Sequence, residues 1–370
     1  MDARNVCYAS FSLQNLPKEI LKEILLAIPV KCLLHLRCVN KSFCSLVNTH
    51  LKRRILLLPH SKQEFAEYGV KILSPDSDCG SVEKRFPETS FFNEFMYSVK
   101  IYGYCNGLIC LILDMDGLGL WNPSTNDFKI LPRPGNPFHG GVFYGMGNYD
   151  SSIDDYKLVR AAASRFKDDD HGLVYIDSPI KFEVLTGRSY TWRRIADIGT
   201  LQCYIQKQAV HLCGSLHWLK QLSTTLDEAF SAYPSLVILC FNLAEEKVRE
   251  ICLPTKGNLS IVQSRLGVLG GRLCVCSYEE NDIKIRIIDY NGKACWSEVI
   301  SLIKPTLSCY AIPICISRER EVITLADGRD LVMYNFNRNS YRKIAVGDSQ
   351  NSYNAAFFVE SLVRLNPDLS

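Results

Sequence analysis

Between Leu16 and Val47 the apolar positions recur every three or four residues. Ile20, Leu21, Ile24, Leu25 and Ile28 fall at helical spacing, while Lys18, Lys22 and Glu23 fall elsewhere around the turn. Pro17 suits the first turn of that helix, where a missing N–H has no partner to lose. Pro29 ends it near Ile28, because the residue before a proline avoids helical backbone. The same spacing predicts a second short helix through Leu33, Leu34 and Leu36, and a third through Val39, Phe43, Leu46 and Val47. So small a module cannot bury all of its aliphatic faces. Either another protein covers them or one end of the remaining chain does, and periodicity favours neither.

From Lys71 onward the period changes to two. Short β-rich runs are separated by Gly, Asn, Asp and Pro, apart from "TTLDEAFSAY", whose spacing is closer to helical. Five segments share one plan, an apolar strand, a polar turn and a second strand closed by Ile or Leu: "LGLWNPSTNDFKILPRP", "IKFEVLTGRSYTWRRIAD", "LVILCFNLAEEKVREICLP", "IRIIDYNGKACWSEVISL" and "LVMYNFNRNSYRKIAV". Their anchors, Trp121, Phe182, Phe241, Ile288 and Tyr334, lie 61, 59, 47 and 46 residues apart. Repeats of about 50 residues with four short strands apiece read as propeller blades. "CNGLICLIL", "LCGSLHWLK" and "LGGRLCVCS" each place a tight glycine turn before an apolar strand, which predicts inner strands where backbones approach closely. In "NPST", Pro123 fixes φ while Asn122 and Ser124 can bond nearby backbone, so a structural hairpin turn is predicted. The expected fold is therefore α+β and multidomain. A small three-helix module (12–58) is followed by a linker with the first β elements (59–98) and an all-β propeller-like domain of about five or six blades (99–362).

At 370 residues the chain exceeds the usual single core. With 47% apolar and 22% charged residues it is not a disordered chain. No uninterrupted apolar run of about 18 residues occurs, and the opening "MDARNVCYASFSLQ" lacks the pattern of a secretory signal. A cytoplasmic or nuclear protein with no membrane partner is expected. In that reducing setting the 16 cysteines are expected as free thiols, buried where they sit in runs such as "LCVCSY". Charge is uneven: nine Lys or Arg against three acids through Leu58 give +6, leaving −3 for the rest. A basic head suits an acidic partner, although a solvated helical surface has the same composition.

"LPKEILKEILLAIPVKCLLHLRCVNKSFCSLV" resembles the F-box. The ordered matches are Leu16, Pro17, Ile20, Ile24, Leu25, Pro29, Val30, Lys31, Leu33, Leu34, Arg37, Cys38, Val39, Lys41 and Ser42. Phe43 stands where the family usually carries Trp, and "NTHLKRRIL" is shorter than the family's segment there. "GYCNGLICL", "LWNPSTNDFKILP", "FYGMGNYDSSIDDYKLVR" and "FEVLTGRSYTWRRI" are similar to the plant F-box-associated, kelch-like domain (type 1/3). Met146, Asn148 and Thr191 depart from that pattern without disturbing it. Together the likeness runs from Leu16 to Phe358.

The resemblance implies the substrate-recognition subunit of a Skp-cullin-F-box ubiquitin ligase, a non-catalytic receptor without a cofactor. It implies that Leu16, Pro17, Ile20, Ile24, Leu25, Pro29, Val30 and Leu33 make the apolar contact with a Skp-type adaptor, and through it with cullin. The β domain would bind an unknown target protein and raise the local concentration of its lysines near the charged enzyme. "PRPGNPFHGG", "SRFKDDDHG" and "KQLSTTLDEAFSAYPS" are the candidate recognition loops. Glycan binding and pollen self-incompatibility recognition stay open within the same likeness.

Two other classes compete, an interaction protein outside any ligase and a propeller enzyme. His211, Cys213 and His217 lie close enough for a partial metal site, yet no CxxC pair completes it. Cys274 and Cys276 are predicted on one strand face, as core. The acidic run in "KDDDHG" reads as a solvated loop. No phosphate loop, nucleophile elbow or zinc-protease helix occurs, and Gly140-Gly141 and Gly145-x-Gly147 open no helix. The basic head is interleaved with aliphatics and not with stacking aromatics, which argues against a nucleic-acid partner.

Overall fold

The computed structural model describes residues 20, 24, 52–59, 69–75, 82–84, 99–113, 117–134, 142–148, 156–168, 173–187, 189–199, 202–222, 236–254, 259–278, 282–289, 295–303, 311–317, 320–335, 338, 340–344, 352–361, 363 and 365. Of the three expected helices it describes Ile20 and Ile24, both helical; the rest of that module, and "TTLDEAFSAY", lie outside the described residues.

Six antiparallel sheets form among the described residues, each a blade built from an inner, a second, a third and an outer strand. The first blade joins Tyr353–Val359, Arg53–Pro59, Val70–Leu73 and Val82–Lys84; the second is Val99–Cys105, Leu108–Leu113, Gly117–Asn122 and Asp127–Leu131. The third is Val142–Gly147, Lys157–Ala163, Ile180–Thr186 and Trp192–Ile198. In the fourth, an interrupted inner strand (Cys203–Gln206, then Val210–Leu212) precedes Ser215–Leu222, Leu236–Asn242 and Lys247–Cys252. The fifth is Ser264–Leu269, Arg272–Tyr278, Asp282–Asp289 and Cys295–Ile303, and the sixth Ala311–Ile316, Glu321–Ala326, Asp330–Asn335 and Ser340–Ile344.

The predicted anchors Trp121, Phe182, Phe241, Ile288 and Tyr334 all fall on third strands. They are equivalent because each third strand is buried on both faces, one against either neighbouring blade. Instead of one central core there are six apolar clusters, each shared by two adjacent blades, and together they close the ring. The largest aromatic group lies between the third and fourth blades. There Trp218 meets Phe143 edge-on at 5.5 Å, and Phe182 stacks on Phe241 at 5.6 Å.

The first blade is assembled from both ends of the described chain. Arg53 pairs with Val359 and Pro59 with Tyr353, a seven-residue antiparallel ladder. Arg53–Pro59 thus crosses the boundary expected at residue 58 and belongs to a propeller sheet. Three of the nine head cations leave the helical module with it. Arg54 pairs with Glu360 at 2.8 Å, Arg53 lies over the Phe357 ring at 5.5 Å, and Lys52 bonds through its backbone to Glu360.

Antiparallel order sends the turns alternately to two faces. Turns from inner to second and from third to outer strands share one face; links from second to third and from one blade to the next share the other. The glycine-led strands of the sequence reading are second strands, not inner ones. Their glycines serve two-residue hairpins with both central residues at positive φ: Asn106-Gly107 (49°, 75°), Cys213-Gly214 (48°, 70°) and Gly270-Gly271 (59°, 74°). Close approach of inner strands appears instead at Gly145 and Gly147. A Cβ there would stand 2.7 Å from that of Ala209 and 2.4 Å from His211 Cδ2.

The NPST turn holds more than its own hairpin. Asn122 Oδ1 accepts from the Ser124 and Thr125 amides, while its Nδ2 donates to the carbonyls of Ser361 (3.0 Å) and Val363 (2.8 Å). The segment beyond the last strand is thereby fastened under the second blade. In "SSIDDYKLVR" the expected alternation gives way to burial of every residue from Lys157 to Ala163, since both faces of that strand are covered. Arg160 pairs there with Glu183 at 2.6 Å, and Lys157 with Glu246 at 2.7 Å.

"SRFKDDDHG" is not wholly a loop. Phe166–Asp168 pairs with Leu173–Ile176 as a hairpin, and Leu173–Ile176 pairs in turn with Cys203–Gln206 of the fourth blade. The third blade thus lends a hairpin to its neighbour. Ser178 Oγ fixes the bend by accepting from the amides of Ser164 and Arg165, both at 3.1 Å.

Candidate functional site

Three surfaces carry candidate function. The first is the amino-terminal helix. Ile20 is 47% exposed and Ile24 36%, and residues four apart lie one turn above another on the same side. An aliphatic pair in that position is uncovered by the chain's own described residues. The other expected adaptor contacts, Leu16, Pro17, Leu25, Pro29, Val30 and Leu33, lie outside the described residues.

The second surface is the face of longer links. The three candidate recognition loops all emerge there: residues 132–141 link the second blade to the third, 164–172 follow the second strand of the third blade, and 220–235 follow that of the fourth. Lys220 and Gln221, assigned to the last loop, are buried strand residues. Lys220 is ion-paired with Glu250, and Gln221 Oε1 accepts from the Ile261 amide at 2.7 Å. Arg53, by contrast, pairs with Val359 at the tight-turn face. The amino-terminal segment therefore joins the ring opposite the candidate loops.

The third is the central channel, a cavity of about 630 Å³ walled by inner strands of every blade. His211 and His217 stand near its fourth-blade wall and do not converge on a metal. His211 Nε2 lies 3.1 Å from the Asn148 carbonyl, and His217 Nδ1 lies 3.2 Å from that of Val210. Cys213 is exposed in its hairpin turn. Among the described residues no three His, Cys, Asp or Glu are grouped to hold a metal ion, and no helix is long and apolar enough to cross a membrane. The ten described cysteines are free thiols, seven of them buried. Burial alone pushes Cys110 up to about 12, so it stays protonated and inert as a nucleophile. Cys274 and Cys276 share one apolar cluster, as predicted for one strand face.

Burial also holds His217 down at about 4, against the weaker opposing pull of the Val210 carbonyl. An unfolded imidazole takes its proton near 6.5. Between those values the unfolded chain binds more protons than the folded one, so stability falls as the pH drops. The slope from this residue is about 1.4 kcal/mol per pH unit. Calorimetric melting at pH 7, 6 and 5 is expected to show a steeper acid loss for the native chain than for His217→Gln; equal slopes would remove His217 from that role.

Sequence comparison follows the same division. The F-box domain pattern matches residues 13–54, and the pattern described as "F-box associated beta propeller domain" matches 61–365. The chain is 28% identical to F-box protein CPR1 of Arabidopsis thaliana, over 94% of this chain and 89% of that protein. It is 25% identical to an F-box/kelch-repeat protein of the same plant, with 96% and 97% covered. Among solved structures, YCF48 bound to D1 peptide overlaps 74% of each chain at 8% identity with a TM-score of 0.40. That overlap adds nothing to the topology above. The two matched patterns end and begin on either side of residues 55–60, where the head enters the ring, and the chain belongs to the F-box proteins that carry an F-box-associated β-propeller domain.

Proposed function

We propose that this chain is the target-recognition subunit of a Skp-cullin-F-box ubiquitin ligase. Its amino-terminal helices dock a Skp-type adaptor and through it cullin, with Leu16, Pro17, Ile20, Ile24, Leu25, Pro29, Val30 and Leu33 as the apolar contact set. Its loop face holds a target protein, and it performs no acyl transfer itself. The proposal carries with it a cytoplasmic or nuclear location. The observation that carries the reading is the exposure of Ile20 and Ile24 on one side of a helix. A small helical module keeps such side chains in water only at a cost in solubility, and a partner's apolar groove removes that cost. The opposed placement of head junction and loops supports the same reading, because a bridging subunit needs its two partners apart.

Co-expression with a plant Skp-type adaptor, followed by size exclusion, tests it. A stable equimolar complex is expected. Separate elution at micromolar concentration would overturn the ligase assignment and leave an interaction protein of another kind.

A further inference from the structure

We propose that the segment after the last strand is a strap that fixes how the amino-terminal head leaves the ring, with Glu360 as the positioning residue and Asn122 as its anchor. The F-box pattern ends at residue 54, so the head's last residues lie in or beside the first blade's ladder, which begins at Arg53. A chain that leaves a ladder regains two soft torsions per residue, and the direction of whatever precedes it is then unset. Glu360 removes that freedom one residue further out. Its amide donates to the Lys52 carbonyl at 2.9 Å. Its carboxylate accepts from the Lys52 amide at 3.2 Å through Oε2 and from Arg54 Nε at 2.8 Å through Oε1. One side chain thus grips the residues on both sides of Arg53. The Glu360 side chain is 10% exposed, and charge-assisted hydrogen bonds hold more firmly away from water.

Such a grip is only as firm as the segment that carries it, and the strap is held at each of its described positions. Asn122 Nδ2 donates to the carbonyls of Ser361 and Val363, and the Ser361 amide donates to Ser124 Oγ at 3.1 Å. The Val363 amide turns back onto Ser361 Oγ at 3.2 Å. Lys129 Nζ, 3.6 Å from the centre of the Tyr190 ring, donates to the Leu365 carbonyl at 3.4 Å. Leu365 is 1% exposed and packs in the cluster shared by the second and third blades. The Asn106-Gly107 turn presses on the strap so closely that a Cβ on Gly107 would stand 2.1 Å from that of Ser361. The six sheets are complete without any of these residues. Bonds made outside every sheet are not needed to build the blades. What they do is tie the residue that grips the head to the second blade and to its seam with the third.

For a subunit that bridges an adaptor and a target, as proposed above, the strap would hold the two at a set separation. The strap itself does not rest on that reading, and its test uses the chain alone. Asn122→Asp separates anchor from turn. It keeps the oxygen that accepts from the Ser124 and Thr125 amides and turns the donor to the strap into a second oxygen facing two carbonyls. Asn122 bonds to the strap and not to Lys52, yet hydrogen exchange of the Lys52 amide, read by NMR, is expected to be about tenfold faster in the variant, the equilibrium worth of one or two hydrogen bonds. Energy transfer between dyes attached at Lys18 and Lys247 is expected to give one narrow distance in the native chain and a broad distribution in the variant. Faster exchange at Ser361 and Val363 with Lys52 and the dye distance unchanged would reduce the strap to a cover for the second blade and overturn the proposal. A broad distribution in the native chain would do the same. Should Asn122→Asp lose native circular dichroism, a chain ending at Glu360, which keeps all seven pairs of the ladder, takes its place, and an unbroadened distance there refutes the strap. In the native chain the Lys52 and Ser361 amides must be protected together; exchange of either at the free rate counts against it equally.

Discussion

A chain ending at Ser352 is expected not to form the closed ring. The lost strand, Tyr353–Val359, supplies the seven-residue ladder to Arg53–Pro59. Its side chains seal two interfaces. Ala356 and Phe358 pack with Leu56, Leu58, Ile109 and Trp121 towards the second blade, and Tyr353 packs with Ile55, Leu57 and Ile323 towards the sixth. Removing one buried aromatic costs about 3–5 kcal/mol, and here two go together with the ladder and the cover of four aliphatic residues. A domain has about 5–15 kcal/mol in total, so the loss exceeds what the remaining clusters retain. Circular dichroism melting and limited proteolysis check this. A monomeric truncated chain with a cooperative transition near that of the full chain would contradict closure through the first blade.

The second large effect concerns the head. Ile20→Asp with Ile24→Asp is expected to abolish capture of a Skp-type adaptor while leaving the propeller's melting transition unchanged. Both isoleucines are exposed in the chain itself, so a carboxylate at either position reaches water at a modest cost in internal packing. In the complex it would lie in an apolar groove. Central apolar contacts of that kind are worth about 2 kcal/mol each, so two together amount to about a thousandfold in affinity. Pro17→Ala with Ile24→Asp acts in the same direction through the helix start. Undiminished capture by both variants, measured by surface plasmon resonance, would remove this face from the adaptor contact.

Five of the six blades were legible because each contains a local hairpin with a polar turn, and the third-strand anchors kept their spacing. Asn122, Asn242 and Asn335 repeat one device there, each side-chain oxygen accepting from amides two or three residues on. The first blade was not legible. Its central pairing joins residues about 300 apart, and its third strand, Val70–Leu73, has only four residues. The hairpin lent to the fourth blade was hidden for another reason. "FKD" and "LVYI" flank an acidic run, and local polarity reads as a loop although the pairing partner lies in the next blade. Buried Lys157 and Arg160 defied the alternation because their charges are answered, Arg160 by Glu183 directly across the ladder of the third blade and Lys157 by Glu246 in a hairpin turn of the fourth. At the head, residue identities carried the F-box match. The channel had no signature, since its lining residues come from inner strands of all six blades and share one cavity only when the ring closes.

The pairing of Arg53–Pro59 has a mechanical consequence. This strand lies between Tyr353–Val359 and Val70–Leu73, bonded on both sides. A pull on the amino-terminal segment runs along its axis, and the backbone bonds of both ladders take the load in shear at the same moment instead of unzipping in turn. Tension applied through the head is thus spread into the ring at its stiffest seam.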